Sequence, residues 1–332
     1  MLINLFAKCV REVVGNMSVD KQCYCLLSRI ALASSILLGL NLAALGQVND
    51  LRNAKETIGD RLYLWGHPAG VYNTSYLKGF PPSKIEPVDA ARLMGVKNMY
   101  FIRYEGNPAV PFVDYYRPLQ TLDRVMWSLT GAAGATSEEE REAAFQLAAD
   151  NKNVVGFIMD DFFHEDIKED NKLAVDLPMK ASLSPEQLKA IRDRLAIGNR
   201  RLRLSVVVYT NQIDLRAMHH LQFVDEITLW TSSPKQLVNL GSNLARLEQV
   251  AGDKSIVLGC YMFDFNDRKA MSAEDMKYQL GLANKWLQQG RIDGVILLGT
   301  PVCDVDLAAV TVAEEWVVKV RDLPLTSGNG KP

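Results

Sequence analysis

Eight short apolar runs, separated by segments with helix signals, constrain this chain more than any other feature of its sequence. The runs are rich in Val, Ile, Leu, Tyr and Phe, as expected for strands that are buried on both faces. In chain order they are Leu62–Trp65, Asn98–Ile102, Val125–Leu129, Val154–Met159, Leu202–Tyr209, Glu226–Trp230, Ser255–Tyr261 and Gly294–Leu298. Because buried strands that alternate with helices are typical of parallel sheets, the pattern predicts an α/β fold.

Helix N-caps stand between several of these runs. They are serines followed by a proline or by acidic residues, namely Ser137, Ser184, Ser233 and Ser272. Eight strand–helix units in one chain of this length match a single (β/α)8 TIM barrel. The alternative is an open doubly wound sheet, which usually carries a GxGxxG turn after its first strand. Here that turn reads WGHPAG over residues 65–70, so we expect the barrel.

The first 46 residues have the pattern of a secretory signal peptide. Ile30–Leu45 is an almost unbroken apolar run, Lys21 and Arg29 precede it, and small residues end it at Gly46. This order predicts cleavage after Gly46 and an exported protein, periplasmic or extracellular. The alternative is an uncleaved anchor, although the run is shorter than the ~20 residues of a spanning helix. Met17 is an alternative start.

We therefore expect three parts, which are a signal peptide over 1–46, a barrel over 47–322 and a flexible C-terminal tail over 323–332. The net charge of −2 over 332 residues argues against a nucleic-acid partner. The sequence has no CxxC, HExxH or Cys/His cluster, so we expect neither a metal nor a cofactor. Once the signal is cleaved, we expect no membrane partner. The remaining Cys260 and Cys303 form either one disulfide or two buried free thiols.

The fourth apolar run ends in the sharpest local signal, at the edge where TIM barrels carry their active sites. Asp160 and Asp161 follow a wholly apolar strand, and a carboxyl group beside apolar walls can serve as a general acid. Because side chains alternate along a strand, we expect only one of the two to face the mouth of the barrel. The alternative is that both form turn or cap hydrogen bonds. Glu105 and Asp264, after the second and seventh runs, are the candidates for the second catalytic carboxylate.

Aromatic and polar side chains at the other strand ends are the candidate substrate-binding residues. They are Trp65, His67, Arg103, Tyr104, Tyr209, Trp230 and Tyr261. Two alternatives stay open for the tryptophans, which either plug the barrel or form flat platforms of the kind that sugar rings prefer. Arg103 is either an ion-pair partner of Glu105 and Asp264 or a substrate clamp, and His67 belongs either to loop packing or to the site.

The chain resembles secreted glycoside-hydrolase-type TIM barrels in its eight strand–helix units, its export signal and the acidic end of its fourth strand. The chain is distantly similar to the family-18 chitinase style, whose fourth strand carries a DxxDxDxE run. Gly156–Phe163 departs from that run, because only Asp160 and Asp161 are acidic and phenylalanine follows where the glutamate is sought. The Asn-Glu pair of many retaining cellulase-like barrels is absent as well. The resemblance therefore implies the broad architecture and carries over no catalytic residue.

Two functional hypotheses follow from the predicted mouth. In the first, the protein is an exported carbohydrate-active hydrolase, in which one carboxylic acid protonates the glycosidic oxygen and a second carboxylate acts as nucleophile or activates water. In the second, the barrel binds a carbohydrate or another polymer with the same aromatic mouth and catalyses nothing. Both hypotheses give the protein a carbohydrate or another small polar molecule as its partner.

Overall fold

The computed structural model describes residues 56–164 and 178–325, which form the predicted (β/α)8 barrel. Its eight parallel strands are β1 (Leu62–Gly66), β2 (Asn98–Phe101), β3 (Arg124–Thr130), β4 (Val154–Met159), β5 (Arg203–Tyr209), β6 (Glu226–Trp230), β7 (Ser255–Tyr261) and β8 (Gly294–Leu298). The sheet closes because β1 pairs in parallel with both β2 and β8. All eight strands coincide with the predicted runs, which confirms the fold class. The predicted signal peptide lies outside the described residues.

One α-helix follows each barrel strand in the described part of the chain. The helices are α1 (Pro87–Leu93), α2 (Val113–Tyr116), α3 (Glu138–Asp150), α4 (Pro185–Asp193), α5 (Met218–Leu221), α6 (Leu240–Ala251), α7 (Ala273–Gln288) and α8 (Ala308–Val320). Ser137, Ser184 and Ser272 accept the predicted capping hydrogen bonds. Ser233 does not, because a 3-10 helix over Pro234–Asn239 precedes α6. None of the helices described is long and apolar enough to cross a membrane.

The two ends of the described chain are hydrogen-bonded to each other just before β1. The Ile58 N–H donates to the Leu323 carbonyl oxygen at 2.9 Å, and the Leu325 N–H donates to the Glu56 carbonyl oxygen at 2.9 Å. Residues 323–325, which the sequence assigns to the tail, are therefore hydrogen-bonded to the start of the barrel. Residues 47–55 and 326–332 of the predicted barrel and tail lie outside the described residues.

An ion pair joins the N-terminal ends of β5 and β6, and its Arg203 side chain is 36% exposed. Glu226, at the start of β6, is 1% exposed. Its carboxylate accepts hydrogen bonds from the Tyr100 hydroxyl and, at 3.0 Å, from Arg203 Nη1. Above this pair, the rings of Trp65 and Trp230 pack edge to face with their centroids 4.9 Å apart. These two indoles form the floor on which the mouth of the barrel is built.

Trp230 occupies its position because β7 has a glycine beside it. A Cβ atom at Gly259 would lie 2.1 Å from a ring carbon of Trp230, far inside van der Waals contact. We expect Gly259→Ala to lower the free energy of unfolding by about 1–3 kcal/mol, because the buried indole has nowhere to move. Denaturant titration measures the loss. The control is Gly281→Ala in α7, where a Cβ would meet nothing within 4 Å, and equal losses in both variants would contradict this packing.

Candidate functional site

A cavity of about 630 Å³ opens at the C-terminal ends of the strands. Its volume is in the range of small-molecule sites, and TIM barrels carry their active sites at this end. Six of the seven predicted substrate-binding residues line it, namely Trp65, His67, Tyr104, Tyr209, Trp230 and Tyr261. Of the four predicted catalytic carboxylates, Asp160 and Asp161 line it. The structure thus brings eight of the candidate residues to one cavity.

Both aspartates face this cavity, although strand alternation predicts that only one of them does. The difference arises because β4 ends at Met159 and Asp161 has a φ of 43°. This left-handed conformation breaks the alternation of an extended strand. Thr130 Oγ1 donates to the main-chain carbonyl oxygen of Asp160 at 2.9 Å and fixes the end of β4 against β3. Two consecutive carboxyl groups therefore share one site.

Asp160 is the more deeply buried of the two, with 6% of its surface exposed. Burial, followed by the negative charge of Asp161, raises the pKa of Asp160 well above its ordinary value, against a smaller lowering by the Asp161 backbone N–H. The Asp160 carboxyl group therefore holds its proton under conditions in which a free aspartate is ionised. This is the protonation state that a general acid needs.

The raised pKa of Asp160 predicts how stability depends on pH. In the unfolded chain this carboxyl ionises around its ordinary pKa of 3.8, whereas the folded protein keeps the proton to higher pH. Its contribution to stability is therefore complete below 3.8 and is lost as the pH rises through the raised folded pKa. The asparagine of the Asp160→Asn variant cannot ionise, so the Tm of the variant should increase relative to that of the parent as the pH rises. Thermal unfolding from about pH 3 to about pH 8 measures this gain, and parallel Tm curves would contradict it.

Asp161 is held as an oriented carboxylate by one donor from the end of β5 and one from the loop after β3. The Tyr209 hydroxyl, at the end of β5, donates to Asp161 Oδ1 at 2.7 Å. The Ala133 N–H, in the loop after β3, donates to Asp161 Oδ2 at 2.8 Å. That loop approaches closely because residue 134 is glycine with a φ of 68°, and a Cβ there would lie 2.3 Å from Ser182 Oγ. Both oxygens of Asp161 therefore have fixed directions in the cavity.

Three tyrosines place hydroxyl groups around the two aspartates. Burial, reinforced by the charge of Asp160, raises the pKa of Tyr72 well above its ordinary value. Burial, with smaller effects from Tyr261 and the aspartates, does the same for Tyr209. Burial and the charge of Asp161 raise the pKa of Tyr261. All three hydroxyls thus stay protonated and can donate hydrogen bonds to a ligand or to the carboxylates.

His67 lines the cavity as a neutral, fixed ring. Trp65 Nε1 donates to His67 Nε2 at 3.1 Å, so the proton of the imidazole is on Nδ1, which lies 3.0 Å from the Ile102 carbonyl oxygen. Burial lowers the pKa of His67 to about 4, against a smaller raising by that carbonyl. With both ring nitrogens engaged, His67 orients Trp65 and is not free to transfer a proton.

Four aromatic residues of the cavity wall were not among the predicted site residues, namely Phe163 after β4 and three residues from two long loops. Tyr72 and Tyr76 come from the loop after β1, and Phe265 comes from the loop after β7. The ring of Phe265 packs edge to face with Tyr72 at 5.2 Å and with Tyr76 at 5.0 Å between centroids. The signal that could have found them is loop length, because both loops are long for a barrel and rich in aromatic residues.

Glu105, predicted as a candidate catalytic carboxylate, is not among the residues that line the cavity. It is exposed at the tip of a tight turn in which Tyr104 and Asn107 exchange backbone hydrogen bonds of 3.0 and 2.9 Å. Glu105 and Gly106 both have positive φ, at 48° and 75°, as the central residues of a type I′ turn do. This turn directs the carboxylate to solvent.

Asp264 and Arg103 are buried and are not among the residues that line the cavity, and Arg103 pairs with Glu140 rather than with Glu105 or Asp264. Asp264 is 1% exposed, accepts a hydrogen bond from the Asp267 N–H at 3.1 Å, and lies 3.8 Å from Lys269 Nζ. Arg103 Nη2 donates to Glu140, and Arg103 Nε donates to the Pro108 carbonyl oxygen at 3.0 Å. Asp264 thus stabilises the loop after β7, and Arg103 joins the loop after β2 to α3.

The cysteines are free thiols, the second of the two predicted alternatives. Cys260 and Cys303 are both buried and unpaired with each other. Burial raises the pKa of Cys260 to about 12 and also raises that of Cys303, so neither thiol is reactive as a nucleophile. Over residues 56–164 and 178–325, no three His, Cys, Asp or Glu side chains are grouped as a metal site requires.

Comparisons with known proteins give similarity in architecture. No family model and no curated protein matches the chain. It is similar to a GH5_18 protein from Bifidobacterium longum subsp. infantis, with 11% identity, a TM-score of 0.48 and 80% of each chain covered. The catalytic domain of a chitinase from Pyrococcus furiosus gives 15% identity and a TM-score of 0.47, covering 80% of this chain and 98% of that one. Tryptophan synthase from M. tuberculosis gives 13% identity and a TM-score of 0.45, covering 79% of this chain and 94% of that one.

All three TM-scores are below 0.5 and none of the identities exceeds 15%, so these comparisons point to no family and to no activity. At this level of identity the likeness concerns the fold alone, because one barrel architecture supports many unrelated chemistries. Function has to be inferred from the residues of the cavity.

Proposed function

We propose that this protein is a glycoside hydrolase that uses Asp160 as its general acid and Asp161 as its second catalytic carboxylate. The observation that supports this most is a buried aspartic acid with a raised pKa beside a second aspartate in one aromatic-lined cavity. Environments that separate the protonation states of two neighbouring carboxyl groups are typical of acid–base pairs. Glycoside hydrolysis needs such a pair.

In this proposal Asp160 donates its proton to the glycosidic oxygen as the bond to the leaving group breaks. Asp161, oriented by Tyr209 and by the loop after β3, stabilises the positive charge that develops on the sugar ring or activates the attacking water. Trp230 and Tyr261 supply apolar faces for the ring of the sugar. Each part of the cavity then has a function in one reaction.

A second candidate function is carbohydrate binding without catalysis. It is favoured by one observation, which is that Glu105 and Asp264, the predicted partners of the strand-four aspartates, are outside the cavity. Within the described residues that line the cavity, Asp160 and Asp161 are the only carboxylates. Under this alternative, the same aromatic walls bind a sugar, the protein catalyses no reaction, and neither aspartate has a catalytic role.

An activity screen separates the two candidates. The purified protein is assayed against a panel of aryl glycosides that vary in sugar and anomeric configuration, beside the Asp160→Asn/Asp161→Asn double variant. If the parent hydrolyses a glycoside and the double variant does not, the result supports the proposed hydrolase function. If the parent binds a sugar of the panel and hydrolyses no glycoside, the binding barrel replaces it.

We also propose that the protein is exported and that its mature form begins at Gln47. The support is the order of basic, apolar and small residues that ends at Gly46. We expect N-terminal sequencing of protein recovered from the periplasm or medium to start at Gln47. Recovery of the protein only from the cytosol, with Met1 or Met17 at its N-terminus, would contradict this expectation.

A further inference from the structure

One wall of the cavity is a continuous series of aromatic rings, here called the aromatic arc and formed by Trp230, Tyr261, Phe265, Tyr72 and Tyr104. Successive ring centroids are 5.1, 5.4, 5.2 and 5.9 Å apart along this order. The arc draws on four loops or strand ends, after β1, β2, β6 and β7. Trp230, Tyr261 and Tyr72 are buried, whereas Tyr104 and Phe265 are half-buried, so a ligand in the cavity meets mainly these last two rings.

The two aspartates act electrostatically on this arc. The charge of Asp161 raises the pKa of Tyr261, and that of Asp160 raises the pKa of Tyr72, in each case after burial. Over the described residues that line the cavity, none is lysine or arginine. The ring of Tyr76, which packs against Tyr72 and Phe265, already accepts a cation, because the Arg268 guanidinium carbon lies 5.8 Å from its centroid. The cavity thus combines a carboxylate with electron-rich ring faces.

We propose that the sugar unit that binds in this cavity carries an ammonium group, so that the site selects amino sugars over uncharged sugars of the same size. The proposal rests on the proposed function in taking the ligand to be a sugar. An ammonium gains attraction from the ring faces and from the Asp161 carboxylate, whereas a hydroxyl or an acetylated amine gains neither. An anionic sugar would be repelled by Asp161.

Equilibrium binding tests the proposal without relying on catalysis. Trp65 and Trp230 line the cavity, so quenching of tryptophan fluorescence follows its occupation. Glucosamine, glucose and N-acetylglucosamine are titrated at one ionic strength, at a pH where the amine is protonated. We expect glucosamine to bind about tenfold more tightly than the two uncharged sugars. The variants are Asp161→Asn, Phe265→Leu and, as a matched control, Asp193→Asn on the exposed end of α4.

We expect Asp161→Asn to abolish the preference for glucosamine, and Phe265→Leu to reduce it several-fold. The preference is the ratio of the two Kd values within one variant, so a loss of affinity that both sugars share does not alter it. The control should keep the parental preference. Glucosamine binding no tighter than glucose, binding of neither sugar, or a preference that survives Asp161→Asn would each overturn the proposal. The proposed function fails by a different result, which is the absence of glycoside hydrolysis in the activity screen.

Discussion

Replacement of Asp160 by asparagine is expected to lower kcat/KM on an alkyl glycoside by about 10²–10⁴-fold, the usual contribution of a general acid. The reason is that the variant has no proton to give to the glycosidic oxygen. Because asparagine is isosteric with the protonated carboxyl group, the barrel should stay folded. Initial rates on the sugar that the activity screen selects measure the loss, with thermal unfolding recorded beside them.

The matched control for this prediction is Glu105→Gln. Glu105 carries an equivalent group at the same end of the barrel, yet it lies exposed on a turn outside the cavity. We expect the activity of this variant to equal that of the parent. Parental turnover by Asp160→Asn would instead make the end of β4 structural and would remove the proposed acid.

The second large effect is expected from Asp161→Asn, with a loss of about 10²–10³-fold in kcat/KM, as when a group that stabilises transition-state charge is removed. This variant should also shift the alkaline limb of the pH profile to lower pH, because the charge of Asp161 helps to raise the pKa of Asp160. Profiles of kcat/KM against pH measure both effects. Tyr209→Phe removes the 2.7 Å donor to Asp161, together with the hydrogen bond between the Tyr209 and Tyr261 side chains, and should cost about tenfold. An unchanged alkaline limb in Asp161→Asn would show that the two carboxyl groups are not coupled.

The same burial that gives Asp160 its proton has a cost in stability. A buried carboxyl group with a raised pKa destabilises the folded protein wherever the unfolded chain would ionise it. The Asp160→Asn protein should therefore gain stability at neutral pH while it loses activity. This opposite change distinguishes a functional residue from a structural one, whose replacement lowers stability instead.

The barrel could be predicted from the sequence because each strand is a local signal. Val154–Met159 and Gly294–Leu298 are short apolar runs, as strands buried on both faces of a parallel sheet are. Ser137 and Ser184 begin helices by capping contacts with residues less than four positions away. Closure of the sheet then follows from the number of units. These features depend on neighbours in the chain, so the sequence alone indicates them.

The site was only partly predictable because it depends on backbone turns and distant contacts. The left-handed Asp161 is not a glycine, so nothing in the sequence marks the turn that brings its carboxylate to the cavity. Arg103 pairs with Glu140, 37 residues away, and no local pattern indicates that contact. For Glu105 a signal existed, since a turn with glycine at residue 106 is a common place for positive φ.

The assignment of Asp160 as the proton donor is tested most directly by varying the leaving group. The kcat/KM values of the parent and of Asp160→Asn are measured on aryl glycosides of one sugar whose phenols range from weakly to strongly acidic. A strongly acidic phenol departs without protonation, so the variant should approach the parental rate there and fall about 10²–10⁴-fold below it for weakly acidic phenols. A loss that is the same for every phenol, or no loss at all, would contradict the assignment of Asp160 as the acid.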